Sequence, residues 1–211
     1  VRYRDADAPD QRADYRSGLE AGVLASIGWK HVAVQPAVLY SQRGFVLRQA
    51  GTFSGSGDPY LHHTSVRLDY LMLPLNVAYT QHANGQGAQV FAGVYLGVLV
   101  GGRFRGTTTT YYGPNQAAYE SSEQGNVRVG DPADVRAYNV YGRRFDSGVQ
   151  LGLGYRCHGL LAQASYSLGL RNVDTFNSSA YYMRAFESYG GPSYRNQAFQ
   201  VSLAYLVGTK S

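Results

Sequence analysis

Two neighbouring histidines, His62 and His63, lie between Asp58 and Asp69. Imidazole beside carboxylate is the chemistry of a metal site or of acid–base catalysis. On an extended chain, successive side chains point to opposite faces, so His62 and His63 are poorly placed to share one ligand and read as solvated loop residues. The single cysteine, Cys157, sits in Arg156-Cys-His-Gly159. Basic neighbours such as Arg156 and His158 are the setting of a nucleophilic thiol. The same four residues also make a short turn carrying an incidental thiol, which is the preferred reading. One cysteine permits no intrachain disulfide and no cysteine-based metal site. The glycines of Gly148-Val-Gln-Leu-Gly-Leu-Gly154 imitate a dinucleotide fingerprint but lack the helix that must follow it. The expectation is of a protein that is not an enzyme, with no catalytic, cofactor-binding or metal-ligating residues.

The net charge is +5, and the basic residues are almost all arginines, Lys30 and Lys210 being the lysines. The arginines come singly or in pairs through polar stretches, with no basic helix, so nucleic acid is not an expected partner. Charged residues are only 16% of the chain, whereas aromatics reach 13%, with 19 Tyr and 26 Gly beside them. Tyrosine favours strands and membrane–water interfaces, and glycine favours turns and crowded barrel interiors. No run approaches the ~20 apolar residues of a spanning helix, which leaves a β-barrel as the other way through a bilayer.

Period-2 alternation recurs from about residue 16 onward. In 87–101, Val90, Ala92, Val94, Leu96, Val98 and Val100 share one face, opposite Gln89, Phe91, Gly93, Tyr95 and Gly97. Strands are expected at 16–26, 30–41, 65–79, 87–101, 145–155, 160–170 and 197–208. The segment 65–79 changes parity near Pro74, where a bulge is expected. Short connections alternate with long polar loops at 42–64, 102–144 and 171–196, the signature of an outer-membrane barrel with those loops extracellular. A soluble lipocalin-like barrel also alternates, but it keeps its large apolar residues inside. Here the weaker face holds Gly, Gln, Ser and single charges, a poor core but a good polar lumen. Trp29, Tyr79, Tyr155 and Tyr205 fall at short turns or at the chain end and would form an aromatic girdle at the periplasmic interface. The fold class is therefore all-β, an antiparallel up-and-down transmembrane barrel in a single domain over 1–211.

Several stretches resemble the PorT-like outer-membrane β-barrel family of Bacteroidetes-type bacteria. They are Gly18-Leu-Glu-Ala-Gly-Val-Leu24, Val34-Gln-Pro-Ala-Val-Leu-Tyr-Ser-Gln-Arg-Gly44, Tyr70-Leu-Met-Leu-Pro-Leu75, Phe91-Ala-Gly-Val-Tyr-Leu-Gly97, Asp146-Ser-Gly-Val-Gln-Leu-Gly-Leu-Gly-Tyr155 and Phe199-Gln-Val-Ser-Leu-Ala-Tyr205. The resemblance implies an eight-stranded barrel and brings no catalytic residues. Its named member belongs to the type IX secretion and gliding apparatus. Seven strands are visible here, and residues 1–15 read as a loop remnant, so the first strand is expected upstream of residue 1. The segments 16–26 and 197–208 should then be edges flanking one gap.

Function is expected in binding or scaffolding within the bacterial outer membrane, as a structural or interaction component, with a subunit of a larger secretion or surface assembly as its most specific form. A small enzyme with a site on the extracellular rim, and a soluble ligand-binding barrel, are the rival readings. Glu20, His31, Gln35, Gln150, Gln163 and Gln200 fall on the lumen face and are expected to bond into a plug. Arg43, Arg103, Arg105, Arg143, Arg144 and Arg171 are candidates for pairing with phosphates of outer-membrane lipid or lipopolysaccharide. The loop tyrosines Tyr111, Tyr112, Tyr181, Tyr182 and Tyr189 are candidates for contact with other envelope proteins.

Overall fold

Alternating apolar and small or polar residues, with no helical spacing to compete, make every regular element of the described residues a strand. The structure, a computed structural model, describes residues 11–53, 55–112, 118–129, 140–142, 144–170 and 196–207. The long strands β4 (Val32–Thr52), β5 (Pro59–Thr80) and β6 (Gly87–Thr110) form its centre. On one side of them β1 (Gln11–Tyr15), β2 (Glu20–Leu24) and β3 (Ile27–Trp29) all run antiparallel to β4, as three pieces of one edge. On the other side follow β9 (Phe145–Cys157), β10 (Leu160–Gly169) and β11 (Gln197–Tyr205). The path β1-β4-β5-β6-β9-β10-β11 has seven strand positions in an antiparallel meander. The β9–β10 turn is His158-Gly159, with φ of 50° and 85°, the left-handed pair that a two-residue hairpin needs.

The two edges face each other. Gln200 Nε2 donates to Glu20 Oε2 at 2.7 Å, and Tyr15 OH donates to Gln197 Oε1 at 3.2 Å. No backbone ladder joins these edges among the described residues. The sheet is a curled, open barrel whose flanking edges are those the alternation indicates.

Several boundaries depart from the sequence reading. Residues 42–52 and 59–64, expected as loop, are strand, paired from Gln42–Asp69 to Thr52–Pro59. Residues 11–15 also pair, Tyr15 with Phe45. Within 102–144, β6 continues to Thr110 and pairs there with β7 (Tyr119–Val129), to which β8 (Val140–Gly142) adds in parallel. Polar composition marks these segments as outside an apolar layer. It does not prevent them from extending the ladder. The remainder of the expected loops at 102–144 and 171–196 lies largely outside the described residues.

The parity change expected near Pro74 does not occur. Inward residues of β5 stay even-numbered throughout: Val66, Leu68, Tyr70, Met72, Asn76, Ala78 and Thr80 are all buried. The irregularity lies instead where Tyr70 pairs with Leu99 and Asp69 with Gly101, which leaves Val100 as the extra residue of β6. An apolar core of Phe45, Val66, Leu68, Tyr70, Met72, Tyr95, Leu99 and Phe104 fills the interior at this level. Both faces of β5 are apolar there, so alternation could not reveal which was which.

Candidate functional site

Outward-facing side chains form a continuous apolar band. On β6 it runs from Val90 through Val94 and Leu96 to Val100, 53–59% exposed at these four positions. The ten steps from Val90 to Val100 at a rise of ~3.3 Å, tilted by about 40°, span about 25 Å, the height of an outer-membrane barrel's lipid belt. Leu71, Leu73, Leu75 and Val77 continue it on β5, Leu151 and Leu153 on β9, and Val201 and Leu203 on β11. A water-facing sheet would cover such a surface, and a lipid-facing one exposes it. At the short-turn end Trp29, Tyr79, Tyr155 and Tyr205 all point outward and are exposed. Trp29 and Tyr79 both pair with Val32, so they share one row, and Lys30 Nζ lies 6.0 Å from the Trp29 ring centroid.

Inside, polar side chains bond to one another across the sheet. Gln35 donates to Gln89 at 3.2 Å, Gln163 donates to Gln35 at 3.4 Å, and Gln150 donates to Asn76 at 2.6 Å. His31 Nδ1 lies 3.0 Å from the Thr80 carbonyl oxygen. Nearer the long-loop end, Asp146 Oδ2 accepts from Asn196 at 2.8 Å and from Tyr95 OH at 3.3 Å. Glycines make room for the rings. A Cβ on Gly148 would meet Tyr95 Cε1 at 2.6 Å, and one on Gly152 would collide with Phe91. The interior is thus a mixed plug, more apolar than the polar lumen expected.

Neither chemical candidate assembles into a site. His62 and His63 point to opposite faces of β5, as the extended chain requires. His62 bonds inward to Thr108 at 2.8 Å and Thr64 at 2.6 Å, while His63 is exposed. Asp58 lies in the hairpin tip, and Asp69 pairs with Arg67, Nε to Oδ1 3.2 Å. No group of three His, Cys, Asp or Glu side chains spaced to hold a metal occurs among the described residues. Cys157 is exposed, and its Sγ lies 3.0 Å from His158 Nδ1.

The arginines divide by face. Arg43, expected at the lipid-contacting rim, points inward: it is 7% exposed, with its guanidinium 5.0 Å from the Tyr95 ring centroid. The reason is parity, because β4 continues past Ser41 and Arg43 shares the inner face with Ser41 and Phe45. Arg103 and Arg105 do face outward, beyond the apolar band, and Arg144 is exposed. Arg143 and Arg171 lie outside the described residues, as do Tyr181, Tyr182 and Tyr189. Tyr111 and Tyr112 stand half-exposed at the end of β6, with Tyr111 N bonded to the Pro59 carbonyl at 3.0 Å. Sequence reasoning missed Arg16 and Arg67, which register brings beside Arg103 and Arg105 around a cavity of about 580 Å³.

A curled antiparallel sheet with an apolar outer belt, an aromatic row at one end and a filled interior defines a membrane β-barrel protein. The model of the outer membrane protein beta-barrel domain family matches residues 3–175, and the chain belongs to that family, placing it in the bacterial outer membrane. No curated protein and no solved structure matches it.

Proposed function

We propose that the protein is a non-catalytic outer-membrane barrel that works by contact at its long-loop end, as an interaction component of a larger envelope assembly. One observation carries this reading. A strand needs ~9–11 residues to cross the membrane, yet β4, β5 and β6 have 21, 22 and 24 residues. Roughly half of each strand stands beyond the lipid belt, and β7 widens the projecting sheet. Among the described residues side chains fill the interior, which favours the projecting platform, with Tyr111 and Tyr112 on its rim, as the surface that acts. Tyrosine supplies large contact area at low conformational cost. The PorT-like stretch Val34–Gly44 supports membership of a secretion or surface apparatus.

Co-purification from mild-detergent extracts of outer membranes tests this. The expected result is a stable complex with other envelope proteins, weakened in a Tyr111→Ser/Tyr112→Ser variant. A protein that elutes alone, with and without prior cross-linking in intact cells, would sink the proposal.

A further inference from the structure

Four arginines meet on the outer surface just beyond the apolar band. In the ladder, Gly44, Arg67, Arg103 and Asn126 lie in one row across β4, β5, β6 and β7. Ser65, Arg105 and Gln124 form the next row. Arg16, just after Tyr15 on the edge, completes the lining of the cavity of about 580 Å³. Gly44 contributes no side chain to its row, and β5 packs closely against it there, a Cβ on Gly44 meeting the Val66 carbonyl.

Such a cluster opposes its own folding. Like charges directly opposite in a ladder are destabilising, and Arg67 stands directly opposite Arg103. The one carboxylate at the cluster, Asp69, is engaged by Arg67 through Nε at 3.2 Å and Nη2 at 3.4 Å. Arg16, Arg103 and Arg105 have no ion pair among the described residues, and Asp14, the next acid on this face, pairs with Arg48 at 3.7 Å. Three guanidinium charges therefore have no carboxylate partner among the described residues and are available to an anion. Guanidinium forks are matched to phosphate oxygens, and Gln124 and Asn126 add amide donors on the same wall.

Position names the source of that anion. The outward column of β5 reads Leu75, Leu73, Leu71, Asp69, Arg67, so the cluster begins within about four residues, or ~13 Å of strand, of the last apolar side chain. A lipid whose acyl chains lie on the apolar band carries its headgroup to this height. We infer that Arg16, Arg67, Arg103 and Arg105 form a binding site for the phosphorylated sugar headgroup of an outer-leaflet glycolipid, which holds the projecting sheet at a fixed height in the membrane. This rests on the proposed placement of the long-loop end outside the cell. A cavity of this size, lined by four arginines and two amides, suits a sugar phosphate better than a bare anion.

The test is native mass spectrometry of the full chain in detergent, with diphosphorylated lipid A, the same lipid stripped of its phosphates, or inorganic phosphate. The expected result is retention of the phosphorylated lipid about tenfold above the stripped one, charge-assisted contacts being worth that much. The Arg103→Gln/Arg105→Gln variant should lose this preference, and Arg103→Lys/Arg105→Lys should restore part of it. Equal retention of both lipids, an undiminished preference in the glutamine variant, or displacement by stoichiometric inorganic phosphate would each overturn the site. Insertion into lipid vesicles, scored on the same samples, separates the two levels. A parent protein that inserts yet shows no phosphate preference refutes the site alone, whereas failure of the parent to insert refutes the membrane reading with it.

Discussion

Gln200 reaches across the open side of the barrel and donates to Glu20 at 2.7 Å, linking the inner faces of β11 and β2 without any backbone pairing between them. The curvature of the sheet therefore brings its two edges within the combined reach of two side chains. In a Cys157→Ser background, a Glu20→Cys/Gln200→Cys protein should be joined by a short bismaleimide and migrate as a compact species on denaturing gels. A Val94→Cys/Gln200→Cys pair, with Val94 pointing outward from a central strand, should not be joined. Equal cross-linking of both pairs would show that the edges are not neighbours.

Packing inside the barrel depends on rings lying over glycines. A Cβ on Gly148 would collide with the Leu168 carbonyl oxygen and stand 2.6 Å from Tyr95 Cε1, so Gly148→Val must displace both the β10 backbone and a ring that is 1% exposed. Overpacking of this kind costs about 1–3 kcal/mol. Gly101→Ala is the control, because nothing lies within 4 Å of its added Cβ. The midpoint of urea unfolding in detergent should fall for Gly148→Val and stay within error for Gly101→Ala.

Much of the lower barrel was legible because its two faces differ. From Gln89 to Val100 one face is wholly apolar and the other is glycine, glutamine and aromatic, so parity alone separated lipid from interior. It also placed Tyr79, Tyr155 and Tyr205 on one surface, and the short turn expected at 27–29 put Trp29 beside them. The upper half was not legible, for the same physical reason reversed. In 42–52 and 59–64 both faces are polar or mixed, since neither water-facing surface demands apolar residues, and a strand without contrast reads as a loop. Arg43 was misplaced by that reading. At Tyr70-Leu-Met-Leu73 both faces are apolar, and contrast fails again. The arginine site was hidden because Arg16, Arg67 and Arg103 are far apart in sequence and meet only through register. Treating 42–64 as a hairpin would have set Gly44 against Arg67 and given the first sign of it.

A charge placed on the lipid belt tests which face meets lipid. Val94, 55% exposed and mid-band on β6, should as arginine cost about 2–4 kcal/mol on unfolding from vesicles. Tyr79→Arg, at the aromatic row, should cost about 0–1 kcal/mol, because a guanidinium there reaches headgroups and water. Equal costs at both positions would contradict a depth-dependent apolar environment.

The proposed orientation, with the long-loop end outside the cell, rests on the difference between the two ends. At one end the connections are short, the two-residue turns Lys30-His31 and His158-Gly159 and the six residues between β5 and β6, beside a band of aromatics. At the other, β4 and β5 run on to a tip at Phe53–Asp58, where Phe53 N bonds to Asp58 O at 3.0 Å and Gly57 N to Phe53 O at 2.8 Å. Outer-membrane barrels keep short turns in the periplasm and present long connections outside. A hairpin that stands beyond the belt by about ten residues of β-strand rises well clear of the headgroups, at ~3.3 Å per residue before tilt. In a Cys157→Ser background, Ser56→Cys should therefore react with a membrane-impermeant maleimide on intact cells. Lys30→Cys, in the opposite turn beside Trp29, should react only after the outer membrane is permeabilised. Labelling of Lys30→Cys but not Ser56→Cys on intact cells would invert the barrel. It would also move the arginine cluster to the inner leaflet, where no phosphorylated glycolipid of the outer leaflet could reach it.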